Sequence, residues 1–475
     1  MSSALVANQT LLEVPEESLI LNRSESFSVH PLDTSCKYPQ YAINLANGKF
    51  VQVSQKLCDV LMEIDGSATL GDVATNLSSK WGIGVTPADV YLVAKKFLEP
   101  HGLIVNGEPQ QAASESANRP PGNVWLRKLL LQDFFFRFKL IPSHLVTSIG
   151  RYTAHLYNRI LVSSVVVALL LINFSVYREF ATLKAEGKLR LTDPYQALIV
   201  VTLVFLSVVF HEFGHASAVV RYGGVPDHIG FGLYFIYPAL YANVNQSWRF
   251  TRKQRMVIDL GGIYFQLIAA AVSYLCYFVT GRIAFLLTFL FVEFLCLYTL
   301  IPFFKFDGYW FVSDALGVPN LRKKSFEILS RKVLFMIRQR KIKGQGGPDF
   351  GFSKAIIHWV TLYGVSSLAF AGMVVWGLIT HAPARFSRYP HYVKLSYHNL
   401  LGAASNGSYS QAAMVIILFS IQTLVLIGLV MVIVSLVASI SQMVKNQTRQ
   451  TNRMSQTSQT SQTSQTRRRS YDAGG

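Results

Sequence analysis

Six apolar segments occupy the second two-thirds of this 475-residue chain, at roughly 160–177, 195–220, 257–280, 283–303, 355–380 and 411–441. Each matches the length of about 20 residues that an α-helix needs to cross a hydrocarbon core. Lipid offers no partner to an open backbone N–H or C=O, so such runs are expected as helices. Composition agrees, with hydrophobic residues at 51% and charged residues at 15%, against about 25% charge in soluble domains. The expected fold is a polytopic α-helical membrane protein of about six transmembrane helices over residues 159–441, preceded by a small N-terminal α+β domain.

The net charge of +18 fits nucleic acid, anionic lipid or a cytoplasmic membrane face, and position decides among them. With the N-terminus inside, the inside segments 124–159, 221–256, 302–354 and 442–475 hold 28 Lys and Arg, and the outside loops 178–194, 281–282 and 381–410 hold 8. Cytoplasmic loops carry such an excess, so both termini are expected in the cytoplasm of an integral membrane protein. The bilayer then accounts for the basic charge, and no nucleic acid is expected. Cys36, Cys58, Cys276 and Cys296 form no C-x-x-C, which signals neither a disulfide framework nor a cysteine zinc site. The opening MSSALVANQT lacks the basic and apolar pattern of a cleavable signal peptide.

Residues 1–107 read as a soluble unit. From residue 48 the signals run strand (GKFVQV), three helices, strand (GLIV), with Ser54, Thr69 and Thr86 at helix N-cap positions and Asp89 completing a capping box with Thr86. That order resembles a winged helix, and more narrowly a PqqD-like peptide-recognition domain. The resemblance implies that a peptide adds as a strand near Lys49 to Val53 and contacts the helix bearing Val90, Leu92, Val93 and Phe97. Residues 108–123 read as a linker, and 124–158 as an interfacial amphipathic segment whose VWLRKLLLQDFFFRFKL has the composition of a helix lying at a membrane surface. The tail 442–475 contains Ser-Gln-Thr repeats and is expected to be disordered.

The second apolar segment contains FLSVVFHEFGHASAVV, in which His211, Glu212 and His215 form H-E-x-x-H. Histidines four apart share one helix face and can reach one metal, while the glutamate can take a proton from a water there. This composition would yield roughly 0.014 such matches by accident, and ionisable groups at bilayer depth are kept mainly for function. Catalytic zinc takes three protein ligands and an open position. The fourth segment ends LYTLIPFFKFDGYWFVSD, where Pro302 breaks the helix and Asp307 follows, on the same side as His211 by the charge count. Glu293 lies about 21 Å along an ideal helix from Asp307, too far to share a metal with it, and reads as a bundle-facing group. Asp259 reads as a capping or hydrogen-bonding residue, and His228 and His358 as weaker alternative ligands.

Together H-E-x-x-H and the later Asp-Gly resemble the site-2 protease group of intramembrane zinc metalloproteases, in its peptide zinc metalloprotease branch, best over residues 195–314. The resemblance implies Zn2+ held by His211, His215 and Asp307, with Glu212 as catalytic base. WRFTRKQRMVIDLGGIYFQ resembles the family's basic approach to its central helix, with Gly261 and Gly262 allowing close contact. One departure stands out: Ile301 precedes Pro302 where the family commonly has asparagine. PDHIGFGLYFIYPALYANVNQSW reads either as a membrane-dipping hairpin or as an interfacial loop. The expected function is hydrolysis of a membrane-associated or ribosomally made precursor peptide near the cytoplasmic leaflet of a bacterial cytoplasmic membrane, alongside export or maturation proteins. The alternative is a non-proteolytic component of a peptide-export or tolerance complex with a structural zinc.

Overall fold

The computed structural model describes residues 17–24, 27–45, 50–105, 134–187, 193–234, 237–339, 350–428 and 430. The expected linker 108–123, the segment 124–133, the end of the last apolar run and the tail 442–475 lie outside them. The chain divides into two compact units, one of residues 1–121, 138–231 and 240–373, the other of 122–137, 232–239 and 374–475.

The N-terminal part of the first unit contains β1 (Asn22–Arg23), β2 (Phe27–Leu32), β3 (Gln40–Leu45), β4 (Phe50–Ser54), α1 (Gln55–Glu63), α2 (Leu70–Trp81), α3 (Pro87–Val93) and β5 (Ile104–Val105). Strands β2, β3 and β4 form an antiparallel meander, pairing Phe27 with Leu45 and Gln40 with Ser54. Ile43 and Val53 pack against Leu61, Leu77 and Val90 in one apolar core. The three predicted N-caps form as read. Ser54 Oγ accepts from Leu57 N–H at 3.4 Å, and Thr69 and Thr86 each close a capping box, with Asp72 and Asp89. The sequence reading had one strand before the helices; β1, β2 and β3 add three more, of which β2 carries Pro31 inside it. Val90 is a core residue at 1% exposure, whereas Leu92 and Phe97 stand exposed on that helix and its continuation.

Next come β6 (Phe134–Ile141), α4 (Ser143–Thr153), α5 (Arg159–Ala185), α6 (Pro194–Arg221), β7 (Ile229–Tyr234), β8 (Tyr237–Ala242), α7 (Arg252–Thr280), α8 (Ile283–Thr299), α9 (Asp307–Leu316), α10 (Leu321–Gln339), α11 (Lys354–Ser405) and α12 (Tyr409–Gly428). Among the described residues five helices are long and apolar enough to cross a membrane: α5, α6, α7, α11 and α12. The fourth expected span is shorter, the 17-residue α8, about 26 Å by helix rise. It stops at Thr299 because Pro302 cannot continue it.

Two other expectations are corrected. The described end of the expected surface helix, from Phe134, is instead the strand β6, beside β7 in the sheet β6-β7-β8. Phe136-Arg137-Phe138-Lys139-Leu140 alternates with a period of two, which is strand patterning. Residues 381–410, expected as a loop, are mostly helical, because α11 continues through Pro383 and Pro390 to Ser405. In the second unit α11 turns back into α12, with Tyr389 Oη 2.8 Å from Thr423 Oγ1 and Tyr392 stacked on Phe419. The aromatic segment after α6 is a hairpin, closed at its base where Asp227 N–H donates to the Asn243 carbonyl and Asn243 N–H to that of His228.

Candidate metal centre

Helix α6 is polar at one place. His211, Glu212 and His215 are each buried, and the two histidines lie on the face that α7 covers. The two helices cross at glycines: a Cβ on Gly214 would lie 2.2 Å from the Gly261 carbonyl oxygen, and one on Gly262 would lie 2.5 Å from Nε2 of both histidines. Only a bare Cα admits the imidazoles there. Tyr157, just before α5, donates to the Gly214 carbonyl at 2.8 Å and seals the crossing.

Each histidine is oriented through its other nitrogen. Nδ1 of His215 meets the Ile258 carbonyl at 2.7 Å, and Nδ1 of His211 meets Oε1 of Gln266 at 2.9 Å. A carbonyl only accepts, so Nδ1 of His215 carries the hydrogen and Nε2 of the neutral ring is a lone pair. With Oε1 of Gln266 facing it, His211 is in the same tautomer. This is the outer-shell pattern that fixes metal-binding histidines. Gln266 is 2% exposed, and sequence reasoning missed it; the available signal was one uncharged polar residue inside an apolar helix.

Asp307 arrives from the other side. The chain reverses between α8 and α9, and Gly308 allows the reversal, since a Cβ there would lie 2.0 Å from the Leu300 carbonyl oxygen. Tyr363 Oη donates to the Pro302 carbonyl at 3.0 Å and Arg322 Nη2 to that of Phe303 at 2.6 Å. The turn is thereby fixed, and Asp307 opens α9 facing the histidines. Its Oδ2 lies 3.1 Å from His211 Nε2, its Oδ1 lies 3.5 Å from His215 Nε2, and the two Nε2 atoms are 3.1 Å apart.

Three lone-pair-bearing atoms thus converge, and no hydrogen-bond donor reaches buried Oδ2 of Asp307. Ligands at 2.0–2.1 Å on a tetrahedron stand about 3.3–3.4 Å apart, so these separations suit a small cation. Two imidazoles and a carboxylate are a zinc-type donor set with one position left open. Among the described residues His211, His215 and Asp307 form a cluster able to hold a metal. Glu212 lies beside them, with the backbone of Ala242 at the end of β8 near its carboxylate.

The other candidates lie elsewhere. Glu293 accepts from Asn173 of α5 at 2.7 Å, consistent with a bundle-facing role. His228 pairs with Asp227 at 2.9 Å and reaches Tyr241 Oη at 3.3 Å. Asp259 adjoins Asp314 and Arg255, and His358 packs on Trp359.

No family model and no solved structure matches the chain. Among curated proteins it is similar to one described as "Putative peptide zinc metalloprotease protein YydH" from Bacillus subtilis (strain 168), at 26% identity over 114 residues. The similarity spans 24% of this chain and 45% of the relative, so the chain matches less than half of that protein's length. A distant relationship to a zinc-metalloprotease-type protein is thus added to a site whose donors already fit zinc.

Proposed function

We propose that this chain is a membrane-embedded, site-2 protease-like zinc metallopeptidase that cleaves a peptide bond near the cytoplasmic leaflet. The convergence of His211 Nε2, His215 Nε2 and an Asp307 carboxylate within 3.1–3.5 Å carries the reading. A zinc ion held there would polarise the scissile carbonyl and acidify a water. Glu212, next to the first ligand, takes the water's proton and returns it to the leaving amine. His211, Glu212 and His215 are all buried, so the site is shielded from bulk water. Because an intact helix hides its carbonyls, a membrane substrate must unwind locally to enter.

A ribosomally made precursor peptide is the second substrate class, and the N-terminal unit supports it. Strand β4 pairs only with β3 among the described residues, leaving an edge to which a peptide can add. Export or maturation proteins would be the partners of such an enzyme, in a bacterial cytoplasmic membrane with both chain termini on the cytoplasmic side.

Glu212→Gln decides between an enzyme and a structural zinc protein. The variant is expected to keep its zinc and lose cleavage, with uncut peptides accumulating in cells that carry it. Full biological function in a zinc-loaded Glu212→Gln protein would instead establish the non-proteolytic role.

A further inference from the structure

We propose that residues 33–37, in the connection from β2 to β3, form a brace that sets the position of Asp307, with Arg255 as its positioning residue. The proposal rests on the reading that His211, His215 and Asp307 hold a metal.

Four of these five residues, Asp33, Ser35, Cys36 and Lys37, reach α7 and the segments that flank α9 and α11. Asp33 Oδ2 accepts the backbone N–H of Arg252 at 2.9 Å, capping the first residue of α7. Ser35 N–H donates to the Gly317 carbonyl at 2.8 Å, just past the end of α9, and its Oγ meets Nη1 of Arg252. Gly317 has φ +63°, and a Cβ there would collide with Arg252 and Ser35. Cys36 bridges to Phe352, and Lys37 N–H donates to the Gly351 carbonyl at 2.8 Å, ahead of α11.

Arg255 ties these contacts together. It is 2% exposed, and its guanidinium donates to the Asp33 carbonyl at 3.0 Å, to the Phe250 carbonyl at 2.9 Å and to Asp314 Oδ1 at 2.9 Å. A buried guanidinium is tolerated only when its donors are satisfied, and lysine cannot span three separate acceptors. Asp314 lies on α9, the ten-residue helix that begins with the metal ligand Asp307. Arg255 lies on α7, whose next turns supply Ile258, Gly262 and Gln266 to the histidines. One side chain therefore joins the helix that cradles two ligands, the helix that carries the third, and the cytosolic brace. Metal-ligand geometry tolerates about 0.5 Å of displacement. Release of the brace frees the far end of α9 and loosens Asp307 while leaving the histidine pair intact. Because the brace is a connection of the β2-β3-β4 sheet, an event on that sheet bears directly on the metal site.

Zinc affinity of the full-length protein in detergent, measured by chelator competition, and the visible spectrum of its cobalt(II) form test this. Arg255→Gln and Ser35→Pro, which deletes the N–H donated to Gly317, are each expected to weaken metal binding about 10- to 100-fold. The cobalt spectrum of each should shift toward that of Asp307→Asn. A merely structural role would lower the unfolding temperature and leave affinity and spectrum at wild-type values, which overturns the brace. Should Arg255→Gln fail to fold, Ser35→Pro decides alone, since it leaves the Arg255 guanidinium and its three acceptors in the chain. Absence of metal from the wild-type protein would defeat the metal reading and the brace with it. Metal in the wild type with unchanged affinity in the variants defeats the brace alone.

Discussion

His215 Nδ1 faces the Ile258 carbonyl, and that contact settles which of its nitrogens is presented to the metal site. For His211 the same task falls to an amide side chain, which makes Gln266 the more informative residue to change. Gln266→Leu keeps the volume and removes the acceptor, and it is expected to weaken zinc binding about 10- to 100-fold in a chelator competition. Gln266→Glu, which retains an acceptor, should lie much closer to wild type. Sequence alone exposed H-E-x-x-H, because charged and imidazole groups in an apolar helix have no other ready explanation. Asp307 was reached from the break at Pro302 and the charge count that put it on the same side as His211, and the family resemblance then implied its role as third ligand. Gln266 and Tyr157 were not legible, since a lone amide or phenol in an apolar context has many structural uses.

Helix starts are fixed by local chemistry, and here the reading from sequence succeeded. Thr69 and Thr86 each accept the N–H of the residue three ahead, at 3.2 Å, so Thr69→Ala and Thr86→Ala should each cost about 1 kcal/mol of N-terminal-unit stability. Just before α2, Asp65 accepts from the N–H groups of Ser67 at 2.8 Å and Ala68 at 2.9 Å, which hold its carboxyl down at about 2 from an ordinary 3.8. A carboxyl with a lowered folded-state value adds stability that is complete above its unfolded value and disappears as pH falls through the folded one. Hydrogen exchange of residues 65–81, corrected for intrinsic rate, should therefore show protection falling between pH 4 and 2, and Asp65→Asn should flatten that part of the profile. Strand β6 was misread because its Phe, Arg and Lys residues suit an interfacial helix in composition while their alternation suits a strand. The hairpin β2–β3 escaped notice because Pro31 interrupts the strand pattern of β2.

At the scale of the whole molecule the distribution of basic residues makes a claim that can be checked directly. Reporters fused after Gly475 and within residues 324–350 are expected on the cytoplasmic side, and one near Ser405 on the opposite side. An external signal from 324–350 would separate Asp307 from the side assigned to it. Apolar runs marked six segments, of which five form helices long and apolar enough to cross a membrane among the described residues, because hydropathy does not register the end of a hydrogen-bonded ladder. Helix α11 outruns its own apolar stretch. Its 52 residues measure about 78 Å along the axis, more than twice the roughly 30 Å of a bilayer's hydrocarbon core. The water boundary must therefore fall partway along a continuous helix. Pro383 and Pro390 each lack the N–H that would bond one turn back, so they are the points where such a rod can bend toward the lipid surface instead of standing tens of ångströms clear of it.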